Sequence, residues 1–337
     1  MFFTKKIEDS RYFFSHKLRI EVLNYHTIGK NSLVGEVSLD LISIYSESSK
    51  HALLHKWAGL SNFNKNYEEI KGFLKFSVTL TGQNDDPIVL EKERISDQKD
   101  RKYTTHIGRG GRAGAEVLLA PQLKFKGHQM KITLIKGDSF MKLDFFGSID
   151  SYVIVEFGNA RLVTEPISNN RNPLYGLDLY LPYFEPSINE VMNLTIMDYD
   201  VGKKDDILGT LVLKKTDILE AKYNNKVWLD IYGSQSENTN VYGDLMNNDS
   251  TIGAFWKGRV LLSIESFPFD KPKLSYEKMD EKALEGWKEN VNTEYCIMAE
   301  AFYGFSLPKE NTTYSIQLRW ADKELILAEK VRYFLII

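Results

Sequence analysis

The stretch that decides the fold is Leu194-Thr195-Ile196-Met197-Asp198-Tyr199-Asp200-Val201-Gly202-Lys203-Lys204-Asp205-Asp206-Ile207-Leu208-Gly209-Thr210. An alternating apolar run stops, an acidic loop containing a glycine follows, and a second apolar run begins. Residues two apart in an extended segment face the same way, so Asp198 and Asp200 point into one site together, and Asp206 follows across the loop. A second stretch, Met141-Lys142-Leu143-Asp144-Phe145-Phe146-Gly147-Ser148-Ile149-Asp150-Ser151-Tyr152-Val153, has the same design, with carboxylates at Asp144 and Asp150. Asp and Gly are common in turns, because Asp bonds its own backbone and Gly accepts positive φ, and one such loop is ordinarily a solvated turn. Two loops with ordered spacing, each followed by a strand, are harder to read that way. Five carboxylates gathered on one loop surface repel one another, and a hard divalent cation among them removes the conflict. Calcium takes about six to eight oxygen ligands and tolerates irregular loop geometry.

Outward from these loops, residues 123–268 read as one all-β domain. Period-two alternation recurs in Lys131-Ile132-Thr133-Leu134, in Tyr152 to Phe157, in Leu194 to Met197 and in Thr210 to Leu213. Asn172-Pro173 punctuates two strands. Short strands with turn punctuation predict an antiparallel sandwich. Residues 234–250 are rich in Asn, Ser, Glu and Gly and predict a long surface loop between the Trp228 and Arg259 strands.

The acidic spacing resembles the calcium-binding loops of C2 domains, in which two Asp come from one loop and three from another at the same end of a β-sandwich. All five positions of that pattern are Asp here: Asp144, Asp150, Asp198, Asp200 and Asp206. One departure is Ser151, where many C2 domains carry Pro; it concerns a turn and not a ligand.

An internal repeat accompanies the domain. Arg19 to Tyr25 parallels Leu194 to Asp200, Leu33 to Val37 parallels Ile207 to Leu211, Trp57 parallels Trp228, and Gly72 to Val78 parallels Gly258 to Ile264. Residues 1–84 therefore read as the last strands of another C2 sandwich, with a hydrophobic face and an edge left for a missing segment or a partner chain. Aligned on Gly35 and Gly209, the three loop Asp become Asn24, His26 and Ser32, so this unit carries no calcium site. A connector spans 85–122, with Gly108 to Gly114 as a basic linker, since no Gly-Lys-Ser/Thr follows to make a phosphate loop. Beyond 269, residues 277–291 predict a charged helix with Ala283, Leu284 and Trp287 on one stripe. Tyr295 to Phe305 and Thr313 to Trp320 read as strands, and the apolar end Tyr333 to Ile337 as a strand cut off within a domain.

The order of these parts resembles an internal piece of a ferlin: the end of a second C2 domain, the short FerI connector and a third C2 domain. The resemblance implies a calcium-dependent, phospholipid-binding protein of membrane fusion, trafficking or repair. It further implies two calcium ions, changing the local charge from about −5 to about −1 and leaving coordination positions for lipid phosphate oxygens. Phe145 and Phe146 at the first loop tip are candidates for the membrane interface, unless one packs inward beneath the loop. Val201, Lys203 and Lys204 are the candidates in the second loop, the lysines towards anionic headgroups or simply as a solvated turn.

The bulk numbers agree. The chain has 337 residues, 43% hydrophobic and 26% charged, with a net charge of −3, which gives no basis for nucleic-acid binding. A single cysteine, Cys296, excludes an internal disulfide and suits a reducing cytosol. No run of about 18 apolar residues spans a bilayer, and the start Met1 to Asp9 lacks the core of a signal peptide, so a cytoplasmic, membrane-peripheral protein is expected. No Gly-x-Ser-x-Gly elbow or kinase signature occurs, which argues against an enzyme. The alternative function is a calcium-independent protein-interaction scaffold built on the same sandwiches.

Overall fold

The computed structural model describes residues 16–41, 44–45, 51–62, 70–82, 104–105, 117–118, 125–141, 149–202, 204–235, 241–271, 273–287, 314–320 and 323–331. The N-terminal part consists of two antiparallel hairpins. Strand β1 (Lys17–Asn24) pairs with β2 (Ser32–Asp40), and β3 (Ala52–Leu60) with β4 (Gly72–Thr79). Reciprocal backbone bonds between Glu36 and Ser61, at 2.9 and 3.3 Å, join β2 to the end of β3. Two short strands, β5 (Thr104–Thr105) and β6 (Val117–Leu118), pair within the connector.

The sandwich follows. Its strands are β7 (Lys126–Asp138), β8 (Ser151–Phe157), β9 (Ala160–Val163), β10 (Leu174–Glu185), β11 (Val191–Asp198), β12 (Asp206–Lys214), β13 (Val227–Gly233), β14 (Phe255–Pro268) and β15 (Ser275–Lys278). One sheet has the order β13-β14-β7-β10-β15 and the other β12-β11-β8-β9. All pairings are antiparallel. The alternation in the sequence supplies the core: Met130, Ile132 and Leu134 from β7 and Val260, Leu262 and Ile264 from β14 meet Met192, Leu194 and Ile196 from β11, all fully buried. A 5-residue helix α1 (Lys215–Leu219) closes the end opposite the acidic loops by following β12. A separate unit covers 290–337, where β16 (Tyr314–Trp320) and β17 (Lys323–Val331) form a hairpin. The expected strand from Tyr295 to Phe305, the linker glycines 108–114 and residues 333–337 lie outside the described residues.

Two expectations need correction. Residues 234–250 are not simply a surface loop. They contain the helix α2 (Val241–Asn248), and Asn247 is buried, accepting the Ser234 N–H at 2.7 Å. Ser250 fills the seam between the sheet edges: its N–H donates to Thr210 O at 2.9 Å, while its Oγ accepts from Tyr232 N–H at 3.2 Å. The polar composition hid this, because Asn247 and Ser250 bond the backbone of the sheet edge. The charged helix is also shorter than 277–291. Glu277 and Lys278 belong to β15, which extends the sandwich sheet beyond 268, and α3 covers only Glu281–Glu285. Asp280 sets its start by accepting the Lys282 N–H at 3.2 Å, and Gly286 follows its end.

The internal repeat reappears as identical strand register. Val22 faces Gly35 and Leu23 faces Leu33, with a bulge between; Ile196 faces Gly209 and Met197 faces Ile207, with the same bulge. Trp57 faces Lys75 and Leu60 faces Gly72, as Trp228 faces Leu261 and Ile231 faces Gly258. The paired glycines have one reason. A Cβ on Gly35 would stand 2.9 Å from Leu60 Cβ, and one on Gly209 would stand 2.5 Å from Ile231 Cγ2. The edge strands of the two sheets approach too closely there for a side chain. The hairpins also touch the sandwich at its β8–β9 turn. Asn159 Nδ2 donates to Glu36 O at 2.9 Å and to Ser61 Oγ at 3.0 Å, Lys17 Nζ donates to Gly158 O at 3.3 Å, and Ile188 packs on the hairpins' apolar cluster.

Two outcomes follow for stability. Gly209→Ala forces a shift against Ile231 and should cost about 2 kcal/mol, read as a lower urea midpoint. Lys257 is 1% exposed, and burial pushes its amine down to about 8. Its folded pKa lies below the unfolded one, so the burial penalty is present below pH 8 and fades as pH rises towards the ordinary lysine value. Lys257→Met should therefore stabilise the sandwich at pH 7 by at least about 1 kcal/mol, with the gain shrinking in melts at about pH 10.

Candidate functional site

Three strand ends converge at one end of the four-stranded sheet. Strand β11 is central there, and its last residue Asp198 lies in register with Asp206, the first residue of β12, on one side. On the other side it faces Ser151, the first residue of β8, which directly follows Asp150. Backbone pairing thus places Asp150, Asp198 and Asp206 beside one another, with no demand on side-chain packing.

The carboxylates are held by the loops they link. Asp198 Oδ1 accepts the Asp150 N–H at 2.8 Å, and Asp150 Oδ1 accepts the Asn169 N–H at 2.7 Å. The Tyr199 N–H donates to Asp150 O at 3.0 Å, so the acidic loops are stitched in both directions. Asp198 is buried, and Asp150, Asp200 and Asp206 are half-buried. Asp205, which the sequence reading passed over, clamps the second loop from within. Its Oδ1 accepts the Asp200 N–H at 3.1 Å and its Oδ2 accepts the Tyr152 hydroxyl at 2.6 Å. Burial first, and then the bond to Asp205 and its negative charge, push the Tyr152 phenol up to about 12. The adjacent pair Asp205-Asp206 was visible in the sequence, but two-residue periodicity fails inside a loop and could not divide their roles.

Ser151 has a specific place at this end. Its Oγ accepts the buried Tyr175 hydroxyl at 2.8 Å, and its C=O accepts the Ile167 N–H at 2.9 Å. At the tip of the second loop Val201 is 88% exposed, Gly202 takes φ +85°, and Lys204 is exposed. Asp144, Phe145, Phe146 and Lys203 lie outside the described residues. Among the described residues, no three His, Cys, Asp or Glu side chains converge on a point that a metal ion could take. The chemistry of the donor set still fits a hard cation, since carboxylate oxygens from two adjoining loops are gathered at one end. The matching loop of the first hairpin has no carboxylate at those positions. There the His26 N–H donates to Asn31 Oδ1 at 3.0 Å, and the His26 ring lies 3.2 Å from Ser32 Oγ.

Comparison with known proteins gives the following similarities. The C2 domain profile matches residues 3–58 and 128–231. Myoferlin of Mus musculus is 24% identical over 289 residues, covering 76% of this chain and 14% of its own length. Ferlin 2 of Tetrahymena thermophila is 19% identical over 319 residues, covering 86% of this chain and 18% of its own length. The chain thus spans less than a fifth of the curated relatives it matches. A solved structure of the tandem C2 domains of extended-synaptotagmin 2 covers 48% of this chain and 50% of its own, at 18% identity and a TM-score of 0.33.

The Asp205 clamp makes a measurable claim. Tyr152→Phe removes one of its two bonds, worth about 1 kcal/mol. Hydrogen exchange at the Asp200 amide should quicken by about fivefold, while exchange at the core amides of Leu194 and Ile196 stays unchanged.

Proposed function

We propose that this chain, which belongs to the ferlin family of C2-domain proteins, attaches peripherally to anionic phospholipid membranes in response to calcium. The observation that carries the reading is the adjacency of Asp150, Asp198 and Asp206 at three neighbouring strand ends. In this proposal Asp144, Asp150, Asp198, Asp200 and Asp206 hold calcium. The ion's chemistry is to neutralise the carboxylates and accept lipid phosphate oxygens.

The chain's own residues do the rest. Asp205 and Tyr152 fix the backbone at Asp200, so the loop need not be ordered at the moment of binding. Val201 stands exposed at the tip and enters the interface, with Phe145 and Phe146 as its counterparts on the first loop. Lys203 and Lys204 meet anionic headgroups, at about 1 kcal/mol each near the surface. Among the described residues no helix is long and apolar enough to cross a membrane. A part in vesicle fusion, trafficking or membrane repair is proposed from the family membership. The competing reading is a protein-interaction scaffold indifferent to calcium, favoured by the two-stranded hairpins at the N-terminal side.

Sedimentation with phosphatidylserine liposomes separates the two readings. Binding should require calcium and vanish with chelator. Asp200→Asn combined with Asp206→Asn should abolish the calcium-dependent fraction and leave the thermal unfolding of the calcium-free protein within a few degrees. Equal binding with and without calcium, or wild-type binding by the double variant, would overturn the assignment.

A further inference from the structure

The turn between β1 and β2 repeats the second acidic loop with its negative charges removed. Both turns join strands of the same register and have the same length, 25–31 against 199–205. Both begin with a tyrosine, and Ile28-Gly29-Lys30 answers Val201-Gly202-Lys203. The clamp recurs as well. The His26 N–H donates to Asn31 Oδ1 at 3.0 Å, as the Asp200 N–H donates to Asp205 Oδ1 at 3.1 Å. Asn31 thus holds this turn with a neutral amide where the other loop uses a carboxylate. Gly29 takes φ +99° and Gly202 φ +85°, and a Cβ on either would meet nothing. Ile28 is 93% exposed and Tyr25 77%, against 88% for Val201. The Val201 tip rises from a sheet in which β11 has β8 on one side and β12 on the other. An exposed apolar tip is therefore a property of this kind of turn and does not depend on which strands lie beside it.

An exposed isoleucine beside an exposed tyrosine and a lysine has the composition that enters a bilayer interface, with the cation at the headgroups. From Leu23 to Gly35 the chain has one lysine, one histidine and no acidic residue, so no carboxylate of this turn repels an anionic leaflet. The direction of the tip follows from its contacts with the sandwich. Strand β8 starts at the acidic end with Ser151, passes Glu156 and ends before the turn that holds Asn159. Lys17, in register with Asp40, reaches Glu156 at 3.6 Å, and Glu36 O accepts from Asn159 Nδ2 at 2.9 Å. Going from Asp40 to Glu36, β2 therefore leads away from the acidic loops, and it continues to Ser32. That remaining stretch carries the tip about 13 Å past Asn159. We propose that the β1–β2 tip is a calcium-independent contact for an anionic phospholipid bilayer, facing away from the acidic loops. The chain then has one calcium-gated end and one ungated end, and it bridges two bilayers. One tip buries too few side chains to hold a free chain on a vesicle, but many tips on one surface act together. The tip's contact with lipid does not rest on the calcium reading.

The test anchors the full chain by a C-terminal histidine tag to vesicles bearing a nickel-chelating lipid. These are mixed, in calcium-depleted buffer, with phosphatidylserine vesicles that lack the nickel lipid. Light scattering should show the wild type clustering the two populations. Ile28→Asp should raise the chain density needed for clustering by about tenfold, the loss expected when one aliphatic side chain no longer enters the interface. Ile28→Trp should keep the clustering, and at so exposed a position both variants should unfold at the wild-type temperature. Phosphatidylcholine acceptors should cluster less, because Lys30 then meets no net negative charge. No clustering by the wild type, equal clustering by Ile28→Asp, or equal clustering of phosphatidylcholine acceptors overturns the proposal. Ile28→Asp should also leave the calcium-dependent sedimentation of the untagged chain unchanged. A fall there would put the tip on the same bilayer as the acidic loops and overturn the opposed geometry. Failure of the calcium reading shows instead in the Asp200 and Asp206 variants, and the nickel-anchored result is independent of it.

Discussion

The backbone ladder of β11 is the constraint on which the rest depends. Its two neighbours fix where two acidic loops can go, since Asp198 is bonded in register between the first residues of β8 and β12. The apolar side chains of the same strand, Met192, Leu194 and Ile196, are the middle of the core. One strand therefore couples sandwich stability to the geometry of the candidate site. Burial holds its lower part, and carboxylate-to-amide bonds from Asp198 and Asp150 hold its upper end.

The loop end shows how a charged cluster is tolerated in a folded chain. Asp150, Asp198 and Asp205 each accept a backbone N–H, and the Tyr152 hydroxyl adds a neutral donor to Asp205. Backbone N–H dipoles supply partial positive charge to these carboxylates, and the tip residues Val201 and Lys204 stand exposed. The 234–250 insert serves another need. Strands β12 and β13 would present unpaired edges at the seam, and α2 with Ser250 covers them.

The N-terminal hairpins show the same sequence grammar in two strand pairs. Gly35 answers Gly209 and the bulges coincide, so local instructions are obeyed in full. The apolar cluster of Val37, Leu39, Leu53 and Leu60 is buried, whereas Leu18, Ile20 and Val22 of β1 and Leu74, Phe76 and Val78 of β4 are half-buried. Register is a local property of pairing and turn. Burial needs both sheets to their full width.

Much was legible in the chain itself. Alternation at Lys131 to Leu134 and Leu194 to Met197 determined strands, because a period of two can bury one face only in extended backbone. Asp spacing singled out the acidic loops, and the repeated Gly-containing segments determined the second set of hairpins. Tertiary structure alone decided the rest. It put Asp150 beside Asp198, it gave Asp205 the role of clamp, it turned a polar insert into an edge cover, and it drew Glu277 and Lys278 into β15 as partners of β10. The physical reason is the same in each case: these residues act through backbone groups of distant segments, and a sequence records a side chain's chemistry but not which N–H will lie in front of it.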